Sequence, residues 1–280
     1  MRERTVAHLS DLHVGAGARA DDAAMRLREA VLCEGVDHVV VTGDVTHRGL
    51  AGEAARFEEI FAPLQRAGKL TVVPGNHDRL NDDVRDRLRA GPRVQVEIPA
   101  ASDGGLYLVL LDSTGPHNHR WIDGHGELQP QDLRDVDEAL NRAPPGALRA
   151  VLLHHHLLPL PEEDPFEKVV TWLGWPNARE LARGRELLEV VRGRCDLVLH
   201  GHRHVAAEAR PFPGEPLAVY NAGSTTRLER FRVFSHRDGA LTGAPRWVSF
   251  EKRRAGNLRP VLVEPRQRPA MGFPDQPLPA

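Results

Sequence analysis

The chain has almost no cysteine and almost no lysine. Cys33 and Cys195 could form at most one disulfide, and a chain of 280 residues can build a core without one. A disulfide-stapled secreted scaffold is therefore excluded, and a reducing, cytoplasmic setting is the expectation. Apart from Lys69, Lys168 and Lys252, the 37 basic residues are arginine, and 39 acidic residues bring the formal net charge to −2. That balance gives no overall attraction to nucleic acid or to an anionic membrane. No apolar run approaches the ~18 residues of a membrane-spanning helix. The amino terminus enters a strand-like segment directly, without a charged-then-apolar secretory pattern. A hydrophobic content of 41% against 27% charged residues excludes wholesale disorder, and the length suits one large domain or two small ones.

What the chain does have is histidine, fifteen in all, much of it placed where apolar runs end. Runs at 5–9, 36–42, 69–73, 106–111, 147–153 and 196–199 are apolar nearly throughout, the pattern of strands covered on both faces. Helical stretches lie between them at 20–34, 52–67, 81–90, 130–142 and 177–191. Leu27, Ala30 and Val31 share one stripe, and Phe57, Ile60, Phe61 and Leu64 another. Gly68 is placed to cap the second helix. Strand and helix in alternation indicate a layered α/β domain. Runs at 217–220, 231–234 and 247–250 have no helices between them and read as an antiparallel second sheet, so that two sheets flanked by helices could form a sandwich. The domain is expected over 1–255. Residues 256–280, with six prolines among the last 25 residues, read as an irregular tail.

Five strand ends each deliver a group able to bind metal: Asp11 and His13; Asp44; Asn76 and His77; the run His154, His155 and His156; and His202 with His204. In open α/β sheets the ligand site lies where such ends converge. A lone histidine at a strand end is ordinarily a hydrogen-bonded structural residue. Five such elements, each after an apolar strand, point elsewhere. With His77 set aside and one histidine taken from the run, two carboxylates, four imidazoles and one amide remain. Seven oxygen and nitrogen donors are too many for one ion with room for substrate, and suit two transition-metal ions sharing a carboxylate.

In order, these blocks resemble the five signature motifs of calcineurin-like metallophosphoesterases, across most of the first 204 residues. The resemblance implies a four-layer αββα sandwich of two mixed β-sheets flanked by helices, holding two divalent or mixed-valence ions of manganese, iron or zinc. Asp11, His13 and His204 would bind one ion, with Asp44 bridging. Asn76, His202 and one histidine of the run would bind the other. Relatives usually carry His-x-Pro at the run; aligning Leu157 with that proline selects His155, and strand alternation turns His154 and His156 away from it.

Two such ions, less Asp11, Asp44 and a bridging hydroxide, leave a centre near one positive charge, suited to in-line attack by that hydroxide on a phosphodiester. His77 is placed to meet the leaving oxygen, and Asp78 to orient it or to cap a following helix. The segment 111–113 and Gly126-Glu127-Leu128 before a helix are similar to the cyclic-nucleotide phosphodiesterase branch of the family. The expected activity is hydrolysis of small phosphodiesters, 3′,5′-cyclic nucleotides among them. The competing readings are a DNA or RNA exonuclease, a nucleotide-sugar pyrophosphatase of the same fold, and a binding scaffold without catalysis. Near-neutral charge counts against the nuclease, because polymer binding draws on several phosphate contacts. His47 and Arg48 are candidates for substrate contact or for a solvated loop. His117, His119 and His125 either overhang the site or lie on the surface. Trp172 and Trp175 could stack a base, belong to a cap or homodimer surface, or pack in the core.

Overall fold

A computed structural model describes residues 2–88, 92–103, 105–119, 124–160, 180–251 and 261–263. Two sheets lie face to face between layers of helices. In the first sheet the strands run in the order β13 (Val261–Val263), β12 (Arg246–Ser249), β10 (Arg230–Arg237), β1 (Arg4–Leu9), β2 (His38–Thr42) and β3 (Leu70–Val73), with β11 (Ala240–Leu241) paired to β10. In the second the order is β4 (Val94–Glu97), β5 (Leu106–Leu111), β6 (Leu148–Leu152), β7 (Leu197–His200), β9 (Ala218–Asn221) and β8 (Ala207–Ala209). Each sheet has a parallel centre: β1, β2 and β3 in one, and β5, β6, β7 and β9 in the other.

Burial on both faces explains the unbroken apolar runs. In β2, Val39 and Val41 face α1 (Ala18–Glu34) and α2 (Ala51–Arg66), joining Leu27, Val31, Phe57, Ile60 and Phe61. Val40 points the other way and joins Leu108, Leu152 and Phe234 between the sheets. The outer face of the second sheet is covered by α4 (Pro130–Asn141) and α5 (Gly184–Val191), through Leu133, Val136, Leu187 and Val191. The expected four-layer αββα sandwich of two mixed sheets is what the chain forms.

Four expectations need correction. The late strands do not make an antiparallel sheet of their own: β9 joins β7 in parallel, while β10 and β12 extend the first sheet beside β1. Of the helix expected over 81–90, the described residues form one turn, α3 (Arg85–Leu88), after a 3-10 turn at His77–Arg79; residues 89 and 90 lie outside the described residues. The helix expected from 177 begins at Gly184. Within the tail read as irregular, β13 pairs with β12. A last short helix, α6 (Thr225–Leu228), follows β9. Trp172 and Trp175 lie outside the described residues.

Candidate metal centre

Parallel strands all end at the same rim, so the turns after β1, β2, β3, β6 and β7 bring their polar residues together there. The main chain is bent hard to do so. Asp11, His13, Asp44 and His202 take φ values of 52°, 48°, 50° and 72°. Left-handed backbone at a residue with a side chain costs on the order of 1–3 kcal/mol and persists where the surroundings dictate it. The turns also pass close to one another. A methyl group on Gly75 would overlap Asp44, and one on Gly201 would overlap Ser10 and Asp11.

Two groups of donors result. In one, His13 Nε2 and His204 Nε2 converge to 3.2 Å, and His204 Nε2 lies 3.6 Å from Asp11 Oδ1. In the other, Asn76 Oδ1 accepts from His154 Nε2 at 3.0 Å and from His202 Nδ1 at 3.1 Å. Asp44 stands between them, its Oδ2 4.0 Å from His13 Nε2 and 3.4 Å from His154 Nε2. The structure brings together Asp11, His13, Asp44, Asn76, His202 and His204, and of the run it is His154 whose Nε2 faces Asn76 and Asp44. β6 stops at Leu152 and residues 154 and 155 form a bend, so strand alternation does not govern the run. His155 sets its Nδ1 2.8 Å from Ser113 Oγ, while its Nε2 is buried without a hydrogen-bond partner and its ring centre lies 4.9 Å from that of His202. Burial and the neighbouring His154 hold the His155 imidazole well below its ordinary pKa.

His154 is held from behind by its Nδ1–H, which donates to the Thr42 carbonyl at 2.8 Å, and that carbonyl also accepts from Ser10 Oγ at 2.9 Å. A second hydrogen bond of this kind is how proteins aim the other nitrogen of a metal-binding imidazole. Thr42 carries no signal in the sequence beyond being the last residue of β2. Ser224 likewise binds the Asp11 carbonyl at 2.9 Å, from the far end of the chain.

The electrostatics describe a place for cations. Burial works against ionising Asp44, but His154 and His77 outweigh it and hold the carboxyl well below the usual range. Burial alone would strip His154 of its proton, yet Asp44 and Asp11 raise it to about 9. Asp11 Oδ1 is buried without a hydrogen-bond partner. His13 is pushed down to about 3, mainly by burial, and His202 well below its ordinary value for the same reason, which leaves both as lone-pair donors. Carboxylate oxygens, imidazoles and one amide, with no thiolate, fit manganese, iron or zinc once an ion takes the place of the His154 Nε2 proton.

His77 stands at the edge of this cluster. One nitrogen from each of His13, His47 and His77 lies within 4.8 Å of the other two. Asp78 does not reach the His77 ring. Its Oδ1 accepts from the Thr46 N–H at 2.9 Å and hydroxyl at 2.7 Å, and its Oδ2 from the N–H groups of Gly75 at 2.9 Å and Val45 at 3.3 Å. It ties the turn after β2 to the turn after β3. Arg48 is held by its main chain, its N–H to Glu53 Oε2 at 2.7 Å and its carbonyl to Asn81 Nδ2 at 2.7 Å, and its side chain is exposed. His117 and His125 stack at 3.9 Å between ring centres, and His119 lies 3.4 Å from Asp83.

A family model described as calcineurin-like phosphoesterase matches residues 4–206. The chain is 29% identical over 233 residues to a cAMP/cGMP dual specificity phosphodiesterase of Mycobacterium tuberculosis, covering 79% of this chain and 67% of the relative. It is 30% identical over 124 residues to a 3′,5′-cyclic adenosine monophosphate phosphodiesterase of Vibrio vulnificus, covering 44% of this chain and 41% of that relative, less than two thirds of its length. A dimetal phosphatase from Danio rerio superposes with a TM-score of 0.58 at 12% identity, over 89% of this chain and 99% of that one, a likeness of fold. Among the described residues, no helix is long and apolar enough to cross a membrane.

Proposed function

Because the chain belongs to the calcineurin-like phosphoesterase family, hydrolases of phosphoric esters, we propose that it is a dinuclear-metal phosphodiesterase acting on small phosphodiesters, 3′,5′-cyclic nucleotides first among them. The observation that carries this is the position of Asp44, within 4.0 Å of the imidazole nitrogens of both His13 and His154 and so between two groups of donors. Asp11, His13 and His204 would hold one ion; Asn76, His154 and His202 the other; Asp44 would serve both. When bound, the ions supply Lewis-acid charge for the phosphoryl oxygens and a water acidic enough to act near neutral pH.

The chain's own residues supply orientation and a proton. His77 is held by its main-chain N–H on Asp44 and by its ring Nδ1–H on the His47 carbonyl, so that its Nε2 is left to face the leaving oxygen and pass it a proton. The ring of His47 and the exposed Arg48 contact the substrate beyond the reacting phosphoryl group. Asp78 acts on His77 only through the turns it joins. A centre formed mainly from neutral ligands suits the single charge of a diester better than a dianion. The names of the relatives from Mycobacterium tuberculosis and Vibrio vulnificus support a cyclic nucleotide as that diester.

The test is elemental analysis of the purified protein, followed by rates on cyclic nucleotides, glycerophosphodiesters, nucleoside diphosphate sugars and single-stranded DNA. Two metal ions per chain and the highest kcat/KM on a cyclic nucleotide are expected. A metal-free active protein, or a clear preference for single-stranded DNA, overturns the reading.

A further inference from the structure

Two arginines without a role in the chemistry above grip consecutive carbonyls of one turn. Arg79 lies two residues beyond His77 and is only 8% exposed. Its Nη1 donates to the Gly115 carbonyl at 2.5 Å and its Nη2 to His119 Nε2 at 2.8 Å, with Asp83 Oδ2 3.3 Å from the same guanidinium. Arg93, just ahead of β4, donates from Nη1 to the Thr114 carbonyl at 2.6 Å, from Nη2 to the Glu127 carbonyl at 2.8 Å, and from Nε to Asp132 at 3.1 Å. The turn they hold carries Ser113, whose Oγ accepts from the main-chain N–H groups of His154 at 3.3 Å and His155 at 3.2 Å.

The two grips differ in where they start. Arg93 and the turn belong to the same sheet, for the turn follows β5 and Arg93 leads into its neighbour β4. Arg79 comes from the other sheet, in the 3-10 turn after β3 that also carries His77. It therefore reaches from the wall bearing His77 to the wall that supports His154. A guanidinium suits this task because its planar fork places several donors at fixed angles, which an ammonium does not.

We propose that Arg79 is a positioning residue that fixes the distance between the His77 turn and the Ser113–Gly115 turn, and so sets how squarely His77 meets the leaving oxygen of a bound diester. This rests on the phosphodiesterase reading above. Among the described residues the Arg79 guanidinium bonds Gly115, His119 and Asp83, none of them a proposed metal donor, so it acts through the two walls. Misplacement of a reacting group by about 1 Å costs on the order of 100-fold in rate. That loss falls only on reactions that need His77.

The experiment compares two diesters on the metal-loaded protein: bis(p-nitrophenyl) phosphate, whose leaving group departs without a proton, and a cyclic nucleotide, whose alkoxide needs one. Arg79→Lys is expected to lower kcat on the cyclic nucleotide about 30-fold at little changed KM, and turnover of the nitrophenyl diester by no more than about threefold. Methylguanidinium added to Arg79→Ala is expected to restore part of the cyclic-nucleotide rate. Equal losses on both substrates, or none on either, overturn the inference. If Arg79→Ala does not fold, the Arg79→Lys ratio decides alone. A wild-type protein inactive on both diesters instead removes the phosphodiesterase reading, a result separate from any effect of Arg79.

Discussion

The ring Nδ1–H of His77 donates to the main-chain carbonyl of His47 at 2.7 Å. Together with the His77 N–H on Asp44 Oδ1 at 2.9 Å, this fixes the ring through main chain and a buried carboxylate, with Nε2 left for chemistry. His77→Ala should keep both metal ions, as counted by elemental analysis. Its kcat should fall about 10²–10⁴-fold for alkoxide leaving groups and far less for nitrophenolate. A uniform loss across esters of graded leaving-group pKa would remove His77 as the proton donor.

His154 and His155 are neighbours in sequence with different tasks. His154 Nε2 faces Asn76 and Asp44, whereas His155 faces Ser113. His154→Ala should reduce the bound metal from about two ions per chain toward one and abolish turnover, because an ion held by Asn76 and His202 would lose a donor. His155→Gln should keep both ions. Metal content measured after gel filtration separates them, and the reverse pattern returns the ligand to His155.

Much of this was legible in the sequence because the donors follow strands, and all of these but the edge strand β3 are buried on both faces. The apolar runs mark β1, β2, β3, β5, β6 and β7, and the residue after each run falls on the rim. Two kinds of information were not there. Sheet membership depends on which strands pair across long separations, and β10 lies beside β1 through contacts such as Val6 with Phe234 that leave no local periodicity. The choice within the histidine run depends on where β6 ends, and a strand's last paired residue is set by its neighbours. Thr42, Arg79 and Arg93 carry no local signal because they act largely through carbonyls, which any sequence has, and the segment 111–113 gives no sign that Ser113 binds the main chain of the histidine run.

Asp78 is fully buried and accepts from four donors on two turns. Burial and the nearby Asp44 raise its carboxyl to about 6. Asp78→Asn turns an amide NH2 toward main-chain N–H groups and leaves at least one of them unsatisfied. The expected loss of stability is about 1–3 kcal/mol, read from urea unfolding. Since Asp78 does not touch His77, the dependence of rate on leaving-group pKa should stay as in the wild type. A change in that slope with unaltered stability would mean that Asp78 acts on His77 directly.

His38 tests the fold apart from the metal centre. It is buried in β2, its Nε2 2.7 Å from Thr71 Oγ1, and burial, with Lys69 nearby, lowers its pKa to about 4. Folded, the ring stays neutral down to that value; unfolded, it takes up a proton near 6.5. The unfolded chain therefore binds more protons between pH 6.5 and 4, and stability must fall as the pH drops through that window. From pH 8 to pH 5 this single group accounts for roughly 2 kcal/mol. His38→Gln can keep a hydrogen bond to Thr71 and cannot titrate. Urea unfolding of the chelator-treated protein at pH 8 and pH 5 should show the variant losing about 2 kcal/mol less than the wild type. Equal losses would mean that the His38 ring is already protonated in the folded chain or reached by water there.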